Sequence, residues 1–260
     1  MRRVDLGQYG LLQELHCHTT FCDGKSTPEQ MVLAAIDKGL RRIGFSGHAP
    51  MIFPEDYPMS VPGARDYFGA VNALKERYAD RIEILCGVEQ DVYSLPVDQA
   101  YDYVIGAAHY IKVGDDEYIP ADLQPELLVE GCRKHFGGDF YAMCEAYFAE
   151  VEKIAELSPD IVAHPDLIAK FNRGGVMFDE SHPRYLAAAR RAVDRLLPTG
   201  AIFEINTGGI SRGYRDIPYP SQPILEYIRA KGGRVLLTGD THSADRLCYA
   251  FESWAHLLNG

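Results

Sequence analysis

His16-Cys17-His18 near the N-terminus and Asp240-Thr241-His242 near the C-terminus each set two metal-competent side chains one residue apart, at what read as strand ends. On an extended chain, alternate residues share a face. His16 and His18 therefore point together, as do Asp240 and His242. Between them lie Asp23, His48, Glu89, His109 and His164, each at or just past a short apolar run. A lone histidine at a strand end is most often a hydrogen-bonded core residue. So many ionisable groups at strand ends are a different matter, because burying them without a cation costs several kcal/mol each. The pattern predicts one multinuclear metal site assembled from many strand ends, and with it hydrolytic chemistry. His135, His182 and His256 fall in helix or loop contexts and read as surface or packing residues.

A site fed by many strand ends constrains the fold. Strand-like runs cover 11–16, 42–46, 82–89, 103–108, 161–164, 201–206 and 234–239. Helical patterns intervene. One opens at Thr27 as N-cap with Pro28 in its first turn and stops at Gly39. Others cover roughly 64–78, 140–157, 183–196 and 221–231, and a last helix follows Ser243. The stretch 111–138 is polar and less regular, and reads as an insertion over the site. Strand alternating with helix predicts an α/β fold with a parallel sheet and helical crossovers. About seven units, with candidate ligands at C-terminal strand ends, favour a barrel. The alternative, an open doubly wound sheet, would gather the ligands at one crevice. The 260 residues suit a single domain spanning 1–260, large enough to bury a core without disulfides.

The formal net charge of −11 argues against a nucleic-acid surface or an anionic membrane as partner and suits a small substrate carrying a positive group. Six cysteines include no C-x-x-C pair, so a structural zinc knuckle is not expected and the thiols read as reduced. Met1-Arg2-Arg3-Val4-Asp5 leads into polar residues without the apolar core of a secretion signal. With no apolar run of about 18 residues to span a membrane, the expected location is the cytoplasm.

The motifs LHCHTTFCDG (15–24), GFSGHAP (44–50), GVEQD (87–91), VIGAAHYI (104–111), VAHPDLIAKF (162–171), EINTGG (204–209) and GDTHS (239–243) resemble, in the same order, those of the polymerase-and-histidinol-phosphatase (PHP) superfamily. GGDFY (137–141), HPDLIAKF (164–171) and PYPS (218–221) resemble its histidinol-phosphate phosphatase branch more narrowly. The resemblance implies a distorted seven-stranded (β/α)7 barrel, similar to a TIM barrel, holding three divalent transition-metal ions. By that resemblance His16, His18, Glu89 and Asp240 take the first metal. Glu89 bridges to a second, with His109 and His164. Asp23, His48 and His242 take the third. Zinc, manganese and iron all suit such donors. The implied activity is hydrolysis of L-histidinol phosphate to L-histidinol and phosphate in histidine biosynthesis; the alternative is another small phosphate ester or a nucleotide.

Phosphate also needs cationic contacts. The resemblance gives these to Lys170 and Arg212, with Arg215 as a nearby alternative. Asp23, Asp240 and His242 are the nearest candidates to protonate the leaving oxygen. Cys17 alternates with His16 and His18, so it is expected to point away from the site.

Overall fold

The computed structural model describes residues 4–258; Met1, Arg2 and Arg3 of the N-terminal segment read above lie outside the described residues. Seven parallel strands form one sheet: β1 (Gln13–Glu14), β2 (Arg42–Phe45), β3 (Glu83–Asp91), β4 (Tyr103–Ala107), β7 (Ile161–Val162), β8 (Ile202–Asn206) and β9 (Val235–Thr238), in that order across it. A two-stranded antiparallel hairpin, β5 (Tyr110–Lys112) with β6 (Tyr118–Pro120), lies between β4 and β7 in sequence. The edges of the large sheet meet just past β1 and β9. There Cys17 pairs in parallel with Thr241. The Thr241 amide donates to the His16 carbonyl, and the His18 amide donates to the Thr241 carbonyl, both at 2.8 Å. The sheet is therefore a nearly closed barrel and not the open alternative.

The crossovers have local causes. Thr27 and Gln30 form a reciprocal capping box at the start of α1 (Pro28–Asp37). Ser60 caps α2 (Val61–Arg77), and the Asp139 carboxylate caps α4 (Phe140–Lys153). The segment 111–138 differs from expectation. It holds the β5–β6 hairpin and then a regular helix, α3 (Pro125–Phe136). Pro125 starts that helix, and Gly137 ends it in the left-handed region at φ 61°. Leu128, Gly131 and Cys132 form its buried stripe, and the polar residues that suggested irregularity are its outer face. Next come α5 (Pro183–Leu196), a single turn α6 (Gly208–Ser211) after β8, and α7 (Gln222–Ala230). The final helical segment is broken into short turns, with only α8 (Phe251–Trp254) in α conformation.

Inside the barrel Leu15, Leu85, Ile105, Ile161, Ile202 and Leu236 pack together, joined by Leu6 from the N-terminal segment. Each such burial contributes roughly 1.5–3 kcal/mol. This apolar layer is the floor of everything above it. It stops where the strands end, and there the side chains become ionisable.

Candidate metal centre

All nine side chains singled out from the sequence as metal-competent converge at the C-terminal ends of the strands. Glu89, near the end of β3, is the hub and is 1% exposed. Its Oε2 lies 3.3 Å from His16 Nε2, 3.4 Å from His18 Nε2 and 3.0 Å from His48 Nδ1. Its Oε1 lies 3.3 Å from His164 Nε2 and 3.5 Å from His109 Nε2. Asp240 Oδ1 stands 3.4 Å from His18 Nε2 and 3.8 Å from His16 Nε2. On the outer side Asp23 Oδ2 is 3.0 Å from His242 Nε2, and Asp23 Oδ1 is 3.7 Å from His48 Nε2. Four overlapping groups of three or four of these residues bring ligand atoms close enough to hold a cation.

The donor set fits metal ions on a further observation. His16 Nε2, His18 Nε2 and both Glu89 oxygens are buried without a hydrogen-bond partner among the described residues. Orphaned buried polar atoms are costly, and four of them aimed at one place are what a cation satisfies. The electrostatics agree. Burial opposes ionisation of Glu89, but His48, His16 and His109 outweigh it and hold its pKa well below the usual carboxylate range. Burial likewise opposes charge on Asp240, and Arg212 and His16 override it. Burial, reinforced by His242 and His48, pushes His18 down to about 3. Against burial, Glu204 and Glu89 hold His16 well above the ordinary imidazole value, and Glu89 raises His48 and, with Asp91, brings His109 up to about 10, so the carboxylates draw positive charge to this place.

A surrounding layer of carboxylates escaped the sequence reading. Glu204, on β8 and fully buried, meets His16 Nδ1 at 2.6 Å and accepts from the His164 amide. Asp91, two residues past Glu89 on β3, lies 3.0 Å from His109 Nδ1 and accepts from the His109 amide. Each fixes the far nitrogen of an imidazole whose Nε2 faces Glu89, as carboxylates do behind metal-ligating histidines. The available signal was an acidic residue inside an apolar strand.

The cluster floors a cleft of about 250 Å³. Lys170 and Arg212 both line it, as do Tyr57, Tyr110, Leu123 and Asp122. Lys170 Nζ is held by the Asp122 carbonyl at 2.6 Å and its carboxylate at 3.1 Å. Arg212 donates through Nη1 and Nη2 to the carbonyl and Oδ2 of Asp240, at 2.9 and 2.7 Å, and its Nε has no partner among the described residues. Arg215 is engaged elsewhere, paired to both oxygens of Glu180 and to the Ala169 carbonyl, and does not line the cleft. Cys17 packs among Met31, Val32 and Phe45, away from the cluster. His182 caps α5 through Nδ1, and His135 faces Glu117.

Barrel and cluster together define an α/β-barrel protein with a multi-histidine, multi-carboxylate centre at the C-terminal strand ends. The PHP domain model matches residues 14–208, and the chain belongs to the PHP domain family. Proteins of Schizosaccharomyces pombe and Deinococcus radiodurans, each named "Probable histidinol-phosphatase", are similar to it. The first is 26% identical over 250 residues, covering 87% of this chain and 79% of that protein. The second is 27% identical over 255 residues, covering 92% and 90%. In fold the chain is similar to the hisK protein of Listeria monocytogenes, with TM-score 0.74, 18% identity, and 93% and 99% of the two chains covered. It is also similar to the histidinol phosphate phosphatase of Lactococcus lactis complexed with zinc, L-histidinol and phosphate, with TM-score 0.68, 21% identity, and 95% and 92% covered.

Proposed function

We propose that this protein is a metal-dependent phosphomonoesterase that hydrolyses L-histidinol phosphate to L-histidinol and phosphate. The observation that carries the reading is the Glu89 carboxylate, whose two oxygens face separate imidazole sets on the floor of a cleft walled by Lys170 and Arg212. His16, His18, Glu89 and Asp240 would hold one divalent ion, Glu89, His109 and His164 a second, and Asp23, His48 and His242 a third. Zinc, manganese or iron suits these donors. Bound there, such ions supply Lewis-acid charge and a water-derived nucleophile at neutral pH.

The chain's own residues do the rest. Lys170 and Arg212 present cationic donors to the phosphoryl oxygens. Asp122 keeps Lys170 Nζ at the rim, and Asp240 keeps the guanidinium of Arg212 against the cluster. Tyr57, Tyr110 and Leu123 give the cleft an aromatic and apolar wall that suits an imidazole-bearing leaving group better than a bare alkyl phosphate. Of the candidate proton donors Asp23, Asp240 and His242, both carboxylates are held ionised against burial, Asp23 by His242 and His48 and Asp240 by Arg212 and His16, which favours His242 as the group that brings a proton to the leaving oxygen. The relatives' names and the ligands of the Lactococcus lactis protein support the same substrate.

A substrate panel on metal-loaded protein tests this, comparing histidinol phosphate with phosphoserine, nucleotides and a generic aryl phosphate. Histidinol phosphate should lead in kcat/KM by at least about tenfold. Equal rates across the panel would assign the same centre to a broader phosphate-ester hydrolase.

A further inference from the structure

Glu14 is fully buried beside the cluster, yet it belongs to none of the groups that could hold a cation. It sits on β1, at one edge of the seven-stranded sheet, and its partners lie on both edges. Glu14 Oε1 accepts from the Leu15 and His16 amides, each at 3.1 Å, and from the Gly239 amide at 3.0 Å. Its Oε2 accepts from the Thr241 hydroxyl at 3.2 Å.

These bonds sit where a backbone ladder should be. One step further along, the two edges pair regularly: Thr241 N–H to the His16 carbonyl, then His18 N–H to the Thr241 carbonyl. Carried back by two residues, the same parallel pattern calls for Gly239 N–H to the Glu14 carbonyl and His16 N–H to the Gly239 carbonyl. Both amides go to the Glu14 carboxylate instead. Local packing explains the break. Leu15 packs inside the barrel with Leu85 and Leu236, and the very next side chain, His16, also turns inward to face Glu89 and Asp240. Strand alternation is lost at that step, and the amides it frees need an acceptor. Gly239 fits the arrangement: a Cβ there would lie 2.4 Å from Glu14 Oε2. The following residue, Asp240, takes the unusual φ of 46°.

We propose that Glu14 is a positioning residue of the centre, its carboxylate replacing the missing rungs between the first and last strands and so fixing His16 and Asp240 for the ion they share. The inference rests on the metal assignment proposed above. It makes hydrogen-bond acceptance the requirement and not negative charge. A glutamine can keep all three amide contacts through its carbonyl oxygen and donate to the Thr241 hydroxyl through its NH2. A leucine of similar volume cannot.

The test reads metal binding directly, without substrate. Chelator-stripped full-length protein is dialysed against buffered Zn2+ and its content measured by elemental analysis, with thermal unfolding of the metal-free protein recorded alongside. Glu14→Leu should bind Zn2+ about 10- to 100-fold more weakly, as expected for losing a contact that orients ligands, while Glu14→Gln stays within about threefold. Thr241→Val removes only the Oε2 partner and should weaken binding about two- to fivefold; it decides the matter if Glu14→Leu does not fold. Wild-type affinity in Glu14→Leu with only a lower unfolding temperature, an equal loss in Glu14→Gln, or wild-type affinity in Thr241→Val overturns the proposal. Wild-type protein that binds no Zn2+ overturns the metal assignment itself, and the positioning role with it.

Discussion

The two ends of the barrel both bury charge, and they treat it in opposite ways. At the N-terminal end Arg42 is 1% exposed, and its donors are matched by neighbours. Its Nε bonds Glu83 at 3.0 Å, Nη1 bonds the Asp5 carbonyl at 2.8 Å and Gln13 at 2.9 Å, and Nη2 bonds Gln8 at 3.2 Å. Its guanidinium also lies 4.6 Å from the centre of the Tyr9 ring. At the C-terminal end His16, His18 and Glu89 are equally buried, but the atoms that converge have only one another. Burial alone therefore does not mark function. A buried charge supplied with partners by its own chain is structural, whereas a convergent buried set of donors and acceptors without such partners marks a candidate cation site.

Substitutions at the two ends should separate these roles. The largest effect is expected from Glu89→Gln, which keeps the size of the hub and removes the charge that the proposed assignment shares between two cations. Turnover should fall at least about a hundredfold, together with metal content. Steady-state kinetics paired with elemental analysis would show it, and near-normal turnover would remove Glu89 from its bridging role.

Arg212→Ala should come next, with a loss of about 2–3 kcal/mol in kcat/KM. The loss should extend to every phosphate ester in the panel, because the contact reads phosphate. The structure adds that metal affinity should fall too, since Arg212 holds both the carbonyl and Oδ2 of Asp240. A change confined to the ranking among substrates would instead place Arg212 against the leaving group.

Glu204→Gln should weaken metal binding about tenfold by loosening His16, measurable by competition with a chromogenic chelator. The smallest effect on activity belongs to the opposite end. Arg42→Met should cost about 2–4 kcal/mol of stability, by leaving Gln13, Gln8 and the Asp5 carbonyl without their donor. The kcat/KM of the protein that remains folded should stay within about twofold of wild type. Denaturant melts and kinetics on the same preparation check both halves, and a selective loss of activity with unchanged stability would erase the contrast between the ends.

Much of this was legible in the sequence, for identifiable reasons. β2, β3, β4, β8 and β9 fall within about two residues of the apolar runs that predict them, because a parallel strand buried on both faces reads as a continuous apolar stretch. The positions that converge at the candidate centre were readable because histidines and acids at the ends of such runs have few structural explanations. β1 and β7 are only two residues long, and just past them the His16 and His164 amides turn from the backbone to the carboxylates of Glu14 and Glu204. What stayed hidden was polar chemistry inside strands. Glu14, Asp91 and Glu204 look like interruptions of apolar runs, and only the folded chain shows which imidazole or amide each one meets. The regularity of α3 and the β5–β6 hairpin was masked by solvent-facing polar residues and by strands of only three residues.

The central claim is that the convergent buried groups at the C-terminal end are a metal centre built around Glu89. Anomalous scattering from crystals of catalytically active protein, recorded at the absorption edge of the metal it contains, tests this most directly. The account predicts three peaks within the cluster, two of them flanking the Glu89 carboxylate and the third among Asp23, His48 and His242. Active protein whose crystals show no peak there, or show metal only elsewhere, would contradict it.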